Sequence, residues 1–312
     1  MGRRIRIWKS GAMYHVTLQC IDRMFLLKPS DEVNRIVGAG LGRALARHPL
    51  NLHSATTNIN HMELVFSLCK DQVHNASPFL QLFQSIVAKE LNRHYGREGH
   101  FWSSRARVEE IVSDKKAEAL LGYGACNVVK DGLVEKASQW KGFSTTEALS
   151  SGKPLAFEYI DRTLWWKLGA DHREVDPSKY TKQVRIALTP LPSWEQLPAD
   201  EQQSRFRQIV RDHEGLAEKE RLAEGIVKVK GMRQIEGESP FSKPRHQRKK
   251  SPQPLCHAET EEERKTYEAE YRETVKAHRL ASAAYREGCY DVEFPQGTFR
   301  PPLVTVFTGA TV

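Results

Sequence analysis

Disulfide frameworks, zinc clips and membrane spans are all missing from this sequence. Its five cysteines, Cys20, Cys69, Cys126, Cys256 and Cys289, are scattered and odd in number. None is spaced as a zinc clip, and the pattern fits a reducing cytosol. No apolar run approaches the roughly 20 residues of a membrane-spanning helix. The opening residues, MGRRIRIWKSGAMYH, are basic but lack the apolar segment and small-residue cleavage site of a secretory signal. Arg6 stands where a myristoylation signal has serine or threonine. No repeat recurs at solenoid spacing.

What remains is an ordinary globular composition with a basic balance. With 312 residues, 39% of them hydrophobic and 28% charged, the chain has material for one large domain or two of usual size. A net charge of +8 points to a polyanionic partner, most simply nucleic acid.

The first half alternates strand and helix signals. In MYHVTLQC, Tyr14, Val16, Leu18 and Cys20 alternate with His15, Thr17 and Gln19, as in a half-buried strand. Ser30 caps a helix expected over residues 31–48. One or two strands follow in NLHSATTNINHMELVFSL. Ser77-Pro78 reads as an N-cap with proline in the first turn. A basic loop and short strand lie in FWSSRARVEEIVSD, and Ser113 or Asp114 caps a helix over 115–131 that Gly132 closes. This order predicts an α+β fold with helices against an antiparallel sheet. The second half has no comparable rhythm. A polar helix or helix pair is expected within 198–225, a basic proline-rich linker at about 239–255, and a charged helix at about 260–288. The expected division is residues 1–148 and an extension of unknown role over 149–312.

Chemistry concentrates in two places. On a strand over NINHMELVFSL, His61, Glu63, Val65 and Ser67 face one way while Met62, Leu64, Phe66 and Leu68 face a core. In LLGYGACNVVKDGLV, Tyr123 and Asn127 are one helical turn apart, with Lys130 on or near their face. Gly122 and Gly124 weaken that helix and admit a close neighbour, another backbone or a DNA strand. His61, Glu63 and Asn127 together offer one nitrogen and two oxygen donors, a set suited to Mg²⁺ or Mn²⁺. A divalent ion there would polarise a phosphate oxygen, and Tyr123 is the candidate nucleophile. Arg105 and Arg107, beside Trp102, suggest a DNA-binding segment that holds phosphates and stacks on an unpaired base. His15 and the isolated Cys256-His257 pair read as structural.

These segments resemble, in order, the IS200/IS605-type tyrosine transposases, and most closely their REP-associated single-tyrosine HUH branch. GAMYHVTLQCIDRMFLL is similar to the family's opening strand, NINHMELVF to its His-hydrophobic-His strand, NRHYGREGHFWSSRARVEEI to its Arg- and Trp-containing segment, and YGACNVVKDGLV to its tyrosine helix. The resemblance spans about residues 10–145. It implies a ferredoxin-like antiparallel sheet carrying helices, and cleavage of hairpin-bearing single-stranded DNA through a 5′-phosphotyrosine link. It implies that His61 is the first metal ligand, Tyr123 the nucleophile and Asn127 the helix-borne ligand. Glu63 stands where the family has its second histidine and Val128 where it has proline. The implied setting is the cytoplasm, with the nucleoid, as monomer or homodimer and with no membrane. The glutamate leaves two readings open, a working metal nuclease and a catalytically silent DNA-binding protein; structured RNA is a third possible partner.

Overall fold

A computed structural model describes residues 4–168, 176–244 and 254–302. Strand β1 (Met13–Gln19), helix α1 (Asp31–Arg47), strands β2 (Asn51–Thr57) and β3 (His61–Ser67), helix α2 (Ala76–His94) and strand β4 (Arg107–Ile111) follow in βαββαβ order. The strands lie in the sheet as β2-β3-β1-β4, each pair antiparallel, which is the ferredoxin-like arrangement. Helix α3 (Asp114–Lys130) comes next. The chain continues through α4 (Thr146–Ser151), β5 (Leu155–Ile160), α5 (Arg162–Leu168), β6 (Thr181–Ile186), α6 (Ala199–Ala223), α7 (Met232–Gly237), β7 (Cys256–His257) and α8 (Glu261–Arg286).

The period-2 pattern divides the sheet into two unlike faces. Tyr14, Val16, Leu18, Met62, Leu64 and Phe66 point into one apolar layer with Ile36 and Leu41 of α1 and Phe79 and Phe83 of α2. Each such buried side chain contributes roughly 1.5–3 kcal/mol, so this layer carries most of the fold. The opposite face lies under α3. There Met13, Val65 and Ile111 pack with Ala117, Leu121 and Val128, while His15, Glu63 and Glu109 are buried among them. Local signals set the helix starts. Ser30 Oγ accepts from Val33 N–H at 3.2 Å, and Ser113 Oγ from Lys116 N–H at 3.4 Å. Ser77 differs from expectation: α2 begins at Ala76, and the Ser77 hydroxyl accepts from the Trp8 indole at 2.8 Å.

The extension is built onto the first half. The expected boundary at 148/149 falls inside α4, and Ser144 bridges to Thr56 of β2. The antiparallel β5–β6 pair, unforeseen in the sequence, packs on α1. The polar stretch is one helix, α6, against α3. Gly122 leaves room for the His213 ring of α6, so the neighbour it admits is the extension. β7 adds to β4 as a fifth strand, and this pair is parallel, making the sheet mixed rather than wholly antiparallel. The expected linker falls partly outside the described residues, and Arg245, Arg248, Lys249 and Lys250 lie there. Lys243 pairs with Asp22 at 2.9 Å. In α8, Tyr267 and Tyr271 stack at 6.3 Å, and the Tyr271 hydroxyl donates to Ile5 O at 3.1 Å. Among the described residues no helix is long and apolar enough to cross a membrane.

The β5–α1 contact gives a direct test of the packing. A Cβ at Gly38 would meet the Phe157 ring at 2.5 Å. Gly38→Ala is therefore expected to lower stability by about 1–3 kcal/mol in urea unfolding, despite alanine's better helix propensity. In a Phe157→Ala background the same change should raise stability.

Candidate metal centre

Three side chains from two elements converge beneath α3. β3 places His61 and Glu63 on the sheet face that α3 covers, and Asn127 comes from the last turns of α3. The Asn60 side-chain oxygen lies 2.8 Å from His61 Nδ1. A proton on Nδ1 therefore leaves the Nε2 lone pair free to accept, and the Asn127 amide sits 2.9 Å from it. The same amide is 3.3 Å from Glu63 Oε1, and His61 Nε2 to Glu63 Oε1 is 3.8 Å. Amide orientation is assigned from hydrogen bonding. Turned over, Asn127 presents its oxygen to the same point, giving one nitrogen and two oxygen donors. Separations of 2.9, 3.3 and 3.8 Å span the edge of about 3.0 Å expected between adjacent ligands of an octahedral ion at about 2.1 Å. The donor set and its spacing fit Mg²⁺ or Mn²⁺.

Gly124 lets the helix close over this group. A Cβ there would lie 3.3 Å from Thr56 Oγ1 and 3.8 Å from Glu63 Oε2. Tyr123 is one turn before Asn127. The Lys130 ammonium lies 5.5 Å from the Tyr123 ring centre and pairs with Glu220 of α6 at 2.7 Å. The face expected to hold Tyr123, Asn127 and Lys130 is thus partly ordered by the extension.

Glu63 joins this group to a second one. Its Oε2 lies 3.9 Å from His15 Nε2. On the far side of the ring, His15 Nδ1 is 3.2 Å from His257 Nε2 and 3.6 Å from Glu109 Oε2. His257 Nε2 is 3.3 Å from the same oxygen. Glu109 Oε1 is held by the Arg107 guanidinium, whose Nε donates at 2.8 Å. Burial disfavours ionisation of both carboxylates, but for Glu63 the nearby imidazoles prevail, led by His15. His15, His257 and Arg107 likewise hold Glu109 well below the usual carboxylate range. Burial opposes charge on His15 too, yet Glu109 and Glu63 push its pKa up to about 9.

His15 and His257, read as structural in the sequence, therefore stand at the centre of the polar face. His15 carried a signal, since it shares the strand parity of the polar side of β1. A two-residue strand carries no period, so His257 had none. The structure separates Arg105 and Trp102 from the centre. Trp102 is half-buried, and its indole donates to Gln84 O of α2 at 3.0 Å. Arg105 donates to Arg4 O. Arg4, Arg6, Arg105, Arg107, Tyr267 and Tyr271 line a cleft of about 310 Å³ at the β4 edge. Burial, and then the Arg105 charge, push the Arg6 pKa down to about 10. Glu110 also lines the cleft and Arg107 is paired with Glu109, so Arg4, Arg6 and Arg105 are the cations suited to phosphate there.

No protein-family model and no curated protein matches the chain. Among solved structures, a REP-associated tyrosine transposase bound to a REP hairpin is similar over 48% of this chain and 85% of its own, at 19% identity and a TM-score of 0.39. A candidate transposase from Deinococcus radiodurans R1 is similar over 39% of this chain and 93% of its own, at 17% identity and a TM-score of 0.28. Likenesses this faint show nothing about what this chain does.

Asn127 bridges His61 and Glu63 and is itself buried. In metal-free protein, Asn127→Ala strands both partners and is expected to cost about 1–3 kcal/mol in urea unfolding. An unchanged midpoint would mean that the bridge is not formed in solution.

Proposed function

We propose that the chain is a transposase-like nuclease and strand transferase acting on hairpin-bearing single-stranded DNA through a 5′-phosphotyrosine link. The observation that carries this reading is the juxtaposition of His61, Glu63 and the Asn127 amide, within 3.8 Å of one another, with a tyrosine one turn away on the same helix. His61 Nε2, a Glu63 oxygen and the Asn127 oxygen would hold a Mg²⁺ or Mn²⁺ ion, which supplies polarisation of a phosphate oxygen.

The remaining roles fall to the chain's own groups. The Tyr123 oxygen forms a bond to phosphorus as the bond from phosphorus to the 3′ oxygen breaks, and that oxygen leaves as a 3′-hydroxyl carrying a proton. Attack by another 3′-hydroxyl reverses the step and returns the proton to Tyr123. Lys130 packs over the Tyr123 ring, 5.5 Å from its centre, with its ammonium paired to Glu220 at 2.7 Å, and so helps to orient the phenol. The arginine-lined cleft at the β4 edge supports a grip on the DNA backbone. That grip is independent of sequence, and recognition of a hairpin needs base or shape contacts beyond it.

A second reading has its own support. Glu63 faces His15 as well as His61, so its charge is already matched inside the fold. A DNA-binding protein that no longer cuts would keep such a cluster for stability alone.

A covalent-adduct assay separates the two. Full-length protein is incubated with labelled hairpin-bearing single-stranded DNA and Mg²⁺, Mn²⁺ or EDTA, then run on a denaturing gel. The nuclease reading expects a slow-migrating labelled band that EDTA and Tyr123→Phe both abolish. Binding without a band, and a band appearing only in Glu63→His, would establish the silent reading.

A further inference from the structure

We propose that His15, Glu109 and His257 form a second metal site, for a tetrahedral divalent ion of the zinc class, which exists only because the C-terminal extension adds β7 to the sheet. It rests on different residues from the centre described above and holds whether or not the chain cuts DNA.

The spacing of the donor atoms is the first support. His15 Nδ1, His257 Nε2 and Glu109 Oε2 form a triangle with edges of 3.2, 3.3 and 3.6 Å. Ligands at about 2.0–2.2 Å from a tetrahedral Zn²⁺ stand about 3.3–3.6 Å apart. The edges of the triangle match the ligand spacing of such an ion. Two imidazole nitrogens and one carboxylate oxygen also favour zinc over Mg²⁺, unlike the oxygen-rich set around Asn127.

Burial is the second support. His15 and Glu109 are 5% and 2% exposed. Two imidazole nitrogens 3.2 Å apart beside a carboxylate oxygen require a proton or a cation among them, because facing lone pairs repel. The outer groups are placed as a metal requires. Arg107 fixes Glu109 through the oxygen that the triangle does not use. Behind His15, Nε2 is buried without a hydrogen-bond partner and faces the Glu63 carboxylate at 3.9 Å. A small ring movement would give the carboxylate–histidine pair that orients metal-binding imidazoles.

Three protein ligands leave one tetrahedral position for water or an anionic oxygen, as in catalytic rather than closed structural zinc sites. The site also gives the extension a function. β7 contributes two paired residues to the sheet, and an ion shared with β1 and β4 would pin it more firmly.

The test uses full-length protein stripped with a chelator. Zn²⁺ binding is followed by calorimetry with Mg²⁺ in excess, and Co²⁺ binding by visible absorption, which is intense for tetrahedral Co²⁺ and weak for octahedral. One Zn²⁺ per chain and a tetrahedral spectrum are expected, both retained in His61→Ala. Both should be lost in His257→Ala, in His257→Gln, which keeps a polar side chain on β7, and in Glu109→Gln, with circular dichroism of the stripped proteins unchanged. Arg107→Gln should weaken binding by about 10- to 100-fold. Absence of Zn²⁺ binding, an octahedral spectrum, or binding lost in His61→Ala but kept in His257→Ala would overturn the proposal.

Discussion

A carboxylate buried in the middle of a sheet face is the constraint on which this structure turns. Glu63 is 8% exposed, and an unpaired charge there would cost several kcal/mol. The chain meets that cost from both sides. One oxygen faces His61 and Asn127 and the other faces His15. His15 and Asn127 are buried and His61 is half-buried, and the two histidines have partners in turn: Asn60 behind His61, and Glu109, His257 and Arg107 behind His15. The polar row crosses from β3 through β1 and β4 to β7, and each member makes the next tolerable. Such a network is costly when incomplete, so it constrains the helix that covers it and the strand that ends it.

That dependence explains why the extension is bound so closely to the first half. α6 closes over α3 through Gly122, and its Glu220 holds the lysine beside Tyr123. β7 ends the sheet with the last histidine of the row. The β5–β6 pair serves a different end, covering the glycine-rich face of α1.

Much of this was legible in the sequence, and the reasons are local. Strict alternation over residues 61–68 assigned His61 and Glu63 to one face and four apolar residues to the other. Helical spacing put Asn127 on the face of Tyr123. Serine caps fixed the starts of α1 and α3. What escaped detection depended on distant packing. β6 is largely exposed and has little alternation, and β5 gains its meaning only from the face of α1 that it covers. The glycines at 122 and 124 signalled a close approach without naming the neighbour, which is α6 for one and Thr56 for the other. His257 reaches the site through a two-residue strand far along the chain, which no local pattern encodes.

The most direct measurement is anomalous diffraction from crystals of the full-length protein grown with Mn²⁺ and, separately, with Zn²⁺. If the polar face is built to hold cations, Mn²⁺ gives a peak among His61, Glu63 and Asn127, with the Asn127 oxygen turned toward it. Zn²⁺ then gives a peak among His15, Glu109 and His257. Well-ordered side chains at both places with no anomalous signal, and with Asn127 still donating to His61 and Glu63, would contradict this. The row would then be a network of buried ion pairs that stabilises the sheet and holds no metal.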